Sequence, residues 1–212
     1  MSWKLLLRPR RWSAGQVAWL VMLCVLVVPA LLSGPGDPLA REVLGWRPDR
    51  AWSEPWRWWS AAWMHLNSTH LLANLSGAVL VAALGWLLQP DRRMAWAWAL
   101  AWPLTHLSLL LQPGLLRYGG LSGVLHAGVA VCAVWLWSRG ERRGERQLGG
   151  VLAAGLLVKL LLERAWEAPL NRVAGLDIVV APLAHAAGAF WGAMLAWGVL
   201  RLIRSGQGVR VS

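Results

Sequence analysis

Six apolar runs divide this chain, at roughly 16–33, 69–88, 94–111, 122–137, 149–162 and 178–202, each ended by charge, proline or glycine. Runs of this length without an amphipathic stripe predict membrane-spanning helices, and the lack of strict alternation excludes a spanning β-barrel. The pattern predicts an all-α membrane protein, a six-transmembrane-helix bundle with both termini cytoplasmic. Residues 1–15 form a basic cap, 16–204 the six-helix core and 205–212 a tail. Between the runs, 34–55 reads as a polar outer loop rich in Gly and Pro. The Trp-dense segment 56–64 reads as a short helix lying at the interface. A turn at 89–93, a break at Gln112-Pro113-Gly114, an inner loop at 138–146 and an outer return at 166–177 complete the path.

Composition agrees with the pattern. The chain is 57% hydrophobic and carries 18 Trp against one Tyr and one Phe. Indoles favour the membrane interface, which accounts for part of that excess. A net charge of +11 would point to nucleic acid in a soluble protein, so its distribution decides. With the N-terminus inside, the inner segments hold thirteen cations against three carboxylates, and the outer segments hold seven of each. Such a bias reports topology and contact with anionic lipid, and no nucleic-acid partner is implied. The first run has a basic flank like a signal peptide, but 29–33 offers no small-x-small cleavage site, so it reads as a retained helix. Cys24 and Cys132 fall inside runs and read as buried small hydrophobes rather than a disulfide.

Charge and chemistry at membrane depth are costly, so each intramembrane ionisable group is a candidate for function. Ser122 opens the fourth run between glycines, in Gly120-Leu121-Ser122-Gly123. That run, 122–137, is only about 24 Å long against a hydrocarbon layer of about 30 Å. Ser122 is therefore expected below the outer surface, with the irregular backbone of 119–121 buried in protein or lining a wet cavity. A helix N-terminus there offers free N–H groups and positive partial charge. His185 lies seven residues into the last run, about 10 Å deep from the same side. A serine and a histidine at matched depth are a nucleophile and its base. Structural alternatives are a serine N-cap and a histidine bonded between helices. Gly188 and Gly192 give the His185 helix a small-residue face that lets another helix approach.

His65-x4-His70-x3-Asn74 is the third constellation. Zinc helices need an i,i+4 histidine pair, and the i,i+5 spacing here, about 140° apart with no Glu between, argues against a metal. His70 and Asn74 are i,i+4 on one face, where both could donate to an oxyanion or serve as interhelical polar contacts.

These motifs, in this order, resemble the rhomboid intramembrane serine proteases over about residues 16–204. Glu54-Pro55-Trp56-Arg57 resembles the family's Trp-Arg motif of the first loop. The resemblance implies Ser122 as nucleophile and His185 as general base in a Ser-His dyad. It implies an oxyanion hole from the Ser122 N–H, His70 and Asn74, supported by His65, Gly120 and Gly188. With no Asp or Glu in the pair, His185 is expected to be held by packing. His126 stands where the family usually has a tyrosine, and could stack on His185, hydrogen-bond to it or simply pack. The short first loop and Gly-Leu-Ser-Gly-Val-Leu-His resemble the rhombosortase branch, which is associated with cleaving a C-terminal Gly-Gly sorting tail from exported proteins. The implied partners are transmembrane substrate proteins and the lipid bilayer, with no cofactor. The implied place is a bacterial-type inner membrane, multi-pass, with the site open to the periplasmic side. Lys159 could form a Ser–Lys dyad, but is expected to reach outward and pair with Glu163 at i,i+4. Rival readings are a non-catalytic binder of membrane helices and a small transporter. The latter lacks the paired broken helices of such folds.

Overall fold

The computed structural model describes residues 12–139, 143–175 and 177–208. Most of the expected basic cap, the tip of the 138–146 loop and the end of the tail lie outside the described residues. Among the described residues eight α-helices follow in order: α1 (Ala14–Leu32), α2 (Pro38–Leu44), α3 (Arg57–Ser60), α4 (Ser68–Leu88), α5 (Arg92–Leu107), α6 (Ser122–Arg139), α7 (Arg143–Glu163) and α8 (Pro182–Gly208). A two-residue antiparallel pairing joins β1 (Asn171–Arg172) to β2 (Val179–Val180).

Local chemistry sets the helix starts. Ser13 and Gln16 form a reciprocal capping box on α1. The Asn67 side chain accepts from the His70 N–H at 2.8 Å, which caps α4 and fixes its first turn. Asp91 caps α5 by accepting from the Arg93 N–H. Four helical segments are long and apolar enough to cross a membrane: Ala14–Leu32, Ser68–Leu88, Arg92–Leu111 and Pro182–Ser205. The two others expected to cross are less apolar. α7 carries Arg143, Glu145, Arg146, Lys159 and Glu163, and α6 is diluted by Ser122, His126, two glycines and two tryptophans.

α6 sits at the centre, packed against α4, α5, α7 and α8. Its buried face joins Trp19, Leu26, Val81 and Trp98 in the main core. Trp19 and Trp98 pack at 4.5 Å between ring centroids. Their indoles donate across helices, Trp19 to the Val81 carbonyl at 2.9 Å and Trp98 to the Val124 carbonyl at 2.7 Å. Part of the tryptophan excess thus lies in the core, where each N–H finds an acceptor, rather than at an interface. A smaller core of Trp46, Ala61, Leu109, Leu115, Tyr118 and Ala184 underlies the loops at the Ser122 end.

Three sequence expectations need correction. The 34–55 loop contains α2, started by Asp37 as N-cap and Pro38 in the first turn. α8 begins at Pro182, not 178, because the β-branched Ile178-Val179-Val180 stretch goes into the strand pairing and Pro182 suits a helix start. His185 is consequently in the first turn of its helix, and the depth of 10 Å along it does not hold. Cys24 is exposed on α1, while Cys132 is buried as expected; both are free.

Candidate active site

The segment before α6 is held on both sides. Trp46 and Tyr118 exchange backbone hydrogen bonds of 2.8 and 3.2 Å, and the Gly120 N–H donates to the Ala61 carbonyl at 2.9 Å. The Tyr118 hydroxyl donates to the Gly120 carbonyl at 3.0 Å. Burial pushes that hydroxyl up to about 12, so it remains a donor. Gly120 has φ +140°, and a Cβ there would meet the His70 ring at 3.0 Å, so both backbone and space demand glycine. The chain leaves this bend directly into α6, which places Ser122 at the helix N-terminus.

Opposite Ser122, α8 approaches α6 closely. A methyl added at Gly188 would overlap the Gly123 carbonyl, and one at Gly192 the backbone of Ala127. The His185 ring, 2% exposed, comes to Ser122 across this seam. Ser122 Oγ and His185 Nε2 share a hydrogen bond of 2.8 Å. His126, one turn after Ser122, stacks on the His185 ring at 4.2 Å and 10°, and its Nδ1 meets the Ser122 carbonyl at 2.6 Å. Of the arrangements the sequence left open for His126, the structure has the stack.

His70 and Asn74 are both buried and both border the space over Gly120. Asn74 Nδ2 is a buried donor with no protein acceptor. A native protein rarely leaves such a donor unpaired without a functional reason. His65 stands behind His70 at 5.1 Å between rings and bonds the Trp63 carbonyl through Nδ1. Arg57 of the Trp-Arg motif is 2% exposed and donates to the Gly45 and Glu42 carbonyls and to Glu54, so it braces the first loop. An opening of about 400 Å³ between α4, α6 and α7 runs to Ser122, with Asn74, Gly77, His126 and Lys159 on its walls.

One expectation is overturned here. His185 is not held by packing alone, since its Nδ1 lies 2.7 Å from Glu163 Oε2 at the end of α7. The Lys159–Glu163 pair also forms, and Lys159 lies across the opening from Ser122 without taking the place of His185. The i,i+4 spacing shows that pair, yet a carboxylate has two oxygens and can serve two donors. The available signal was position: Glu163 ends the fifth apolar run on the same side as Ser122 and His185. Tyr118 was likewise passed over, although it is the only tyrosine of the chain and lies four residues before Ser122.

A serine hydroxyl aimed at an imidazole within a bundle of apolar helices defines a class, helical membrane proteins with the parts of a serine hydrolase. The particular family follows from comparison with known proteins. The rhomboid domain family matches residues 53–202, and the chain belongs to that family. It is 32% identical over 165 residues to the rhomboid protease GlpG of Salmonella paratyphi A and to that of Salmonella typhi, covering 72% of this chain and 53% of each relative. It is 31% identical to the GlpG of Salmonella newport over the same span. The chain thus spans about half the length of the curated relatives it matches. Family and apolar helices together describe a bacterial multi-pass membrane protein.

Proposed function

We propose that the protein is an intramembrane serine endopeptidase, with Ser122 as nucleophile and His185 as general base. The observation that carries this reading is the 2.8 Å bond from Ser122 Oγ to His185 Nε2. Ser122 Oγ attacks a peptide carbonyl in or near a substrate's transmembrane segment while Nε2 takes its proton. Collapse of the tetrahedral intermediate breaks the C–N bond, and the proton goes to the leaving amine. Water then hydrolyses the acyl-enzyme by the same route in reverse. The oxyanion faces the Ser122 N–H, His70 and Asn74, and the unpaired Asn74 Nδ2 supplies a donor without reorganisation. His65, Gly120 and Gly188 support this arrangement, and no metal or cofactor is required.

In this reading the six long helices all cross the bilayer, and the 16–204 core stands between the basic cap and tail, both cytoplasmic. The site faces the periplasmic side of a bacterial inner membrane. Reporter fusions test the topology: signals at 34–55 and 166–177 should come from outside, and a cytoplasmic 34–55 defeats the mechanism. A fluorophosphonate probe tests the chemistry. It should label Ser122, and labelling should be lost in Ser122→Ala and His185→Ala. An unlabelled, folded wild type would leave a binder of membrane helices.

The substrate class we propose is the rhombosortase one, exported proteins with a Gly-rich segment, a hydrophobic helix and a basic tail. The basic tail stays inside by the positive-inside rule, which leaves the Gly-rich segment at the outer interface beside Ser122. Glycines there unwind at little cost and leave the backbone unshielded. Replacing a Gly-Gly pair in such a tail with Val-Leu should block cleavage, and undiminished cutting would defeat the assignment.

A further inference from the structure

We infer that Glu163 is a positioning residue for His185, which makes the working unit a Ser122–His185–Glu163 chain rather than a pair; this rests on the protease reading above. Glu163 Oε2 lies 2.7 Å from His185 Nδ1, and Nε2 lies 2.8 Å from Ser122 Oγ. An ionised carboxylate only accepts, so Nδ1 must carry the ring proton and Nε2 must be the acceptor. That is the tautomer able to take the proton from Ser122. Without Glu163 the neutral ring is free to carry its proton on Nε2, where it opposes the transfer.

Lys159 and the stacked His126 complete the surroundings. Lys159 reaches Glu163 Oε1 from one turn earlier on α7. Its charge favours the ionised carboxylate and leaves Oε2 to His185. His126 covers one face of the imidazole and limits its tilt. Glu163 is 18% exposed at its side chain, partly sheltered from the solvent that would compete for His185. When Ser122 attacks, its proton moves to Nε2 and the ring becomes an imidazolium. Glu163 stays ionised and faces the new charge. The proton later leaves from Nε2 to the amine, so Glu163 neither gains nor loses one over the cycle.

Saturation labelling with a fluorophosphonate probe tests this on the full-length protein in detergent, because it separates the maximal labelling rate from the apparent binding constant. Glu163→Gln keeps the size but loses the charge. Its maximal rate should fall on the order of 10²–10⁴-fold, with the binding constant and unfolding midpoint close to wild type. Glu163→Asp keeps the charge and should label at least tenfold faster than Glu163→Gln. A Glu163→Gln rate within about threefold of wild type overturns the inference while leaving the protease reading intact. So does an equal loss in both variants accompanied by a lowered unfolding midpoint, which marks a purely structural role. If Glu163→Gln does not fold, Glu163→Ala decides in its place: a reduced maximal rate at unchanged binding supports the inference, and an unchanged rate overturns it. Absence of labelling in the wild type defeats the protease reading instead.

Discussion

The two sides of α6 are built differently. Toward α8 it presents Gly123 and Ala127, and α8 answers with Gly188 and Gly192, so backbones touch where any larger residue would clash. Toward α7 a glycine-mediated close approach is found near its start, where Gly149 lies against Ala133, Leu136 and Trp137. Gly149 is the only buried residue of α7, and a methyl at Gly155 further along would meet nothing within 4 Å. Ser122 and His185 therefore sit across a seam fixed by backbone contact. The third group, Glu163, and the wall of the lateral opening sit on a helix that buries almost nothing. The tight backbone contact lies at the Ser122–His185 pair, and the loosely packed helix borders the opening that runs to Ser122.

The largest effects should come from the seam. Ser122→Ala and His185→Ala should each lower proteolysis on the order of 10⁴-fold or more, and the double variant should be little worse than either. Additive partial losses, read from cleavage kinetics, would mean that the seam does not hold the reactive pair and would turn attention to Lys159. Asn74→Ala and His70→Ala should cost about 10–1000-fold in turnover, since each removes one donor of the oxyanion hole proposed above. Gly188→Ala pushes α8 off Gly123 and stretches the Ser122–His185 bond. Turnover should fall about 100-fold for a displacement near 1 Å, with a lowered unfolding midpoint.

Acid should act through His65, which stands behind His70 beside the Gly120 bend. Burial first, and the neighbouring His70 second, push the His65 imidazole down from 6.5 to about 4. Unfolding lets it take up a proton that the fold refuses. Its contribution to stability is thus complete above about pH 6.5 and shrinks as pH drops toward 4. The unfolding midpoint in detergent should decline across that window, and His65→Gln should flatten the decline. The smallest effect belongs to the open side: Gly155→Ala should shift stability by no more than about 1 kcal/mol. A large loss there would show that α7 is packed after all.

What could be read from the sequence followed local spacing. Ser122 between glycines, His185 followed by Gly188 and Gly192, and His70 four before Asn74 are short-range patterns, and the fold brings each to one end of the bundle. The start of α8 was misread because Ile178-Val179-Val180 continues the apolar run, and hydropathy alone does not separate a buried strand from a helix turn. β-branching and Pro182 carried the distinction. Cys24 was misplaced because a spanning helix is apolar on every side, so its sequence does not say which face meets protein. Glu163 was missed for a different reason. Its helical neighbour Lys159 already explained it, and nothing short-range reports a partner 22 residues away.

The position of His185 in the last helix has a consequence for how the protein is made. Ser122 and His185 are 63 residues apart in sequence. At about 5–20 residues per second, synthesis separates them by roughly 3–13 s. Through that interval the nascent chain carries the Ser122 hydroxyl without the His185 imidazole, and α6 lacks the glycine-faced neighbour that completes its packing. The pair comes together only when α8 enters its slot between α5 and α6, so on the protease reading proposed above a ribosome that stalls before residue 182 leaves an inert fragment in the membrane.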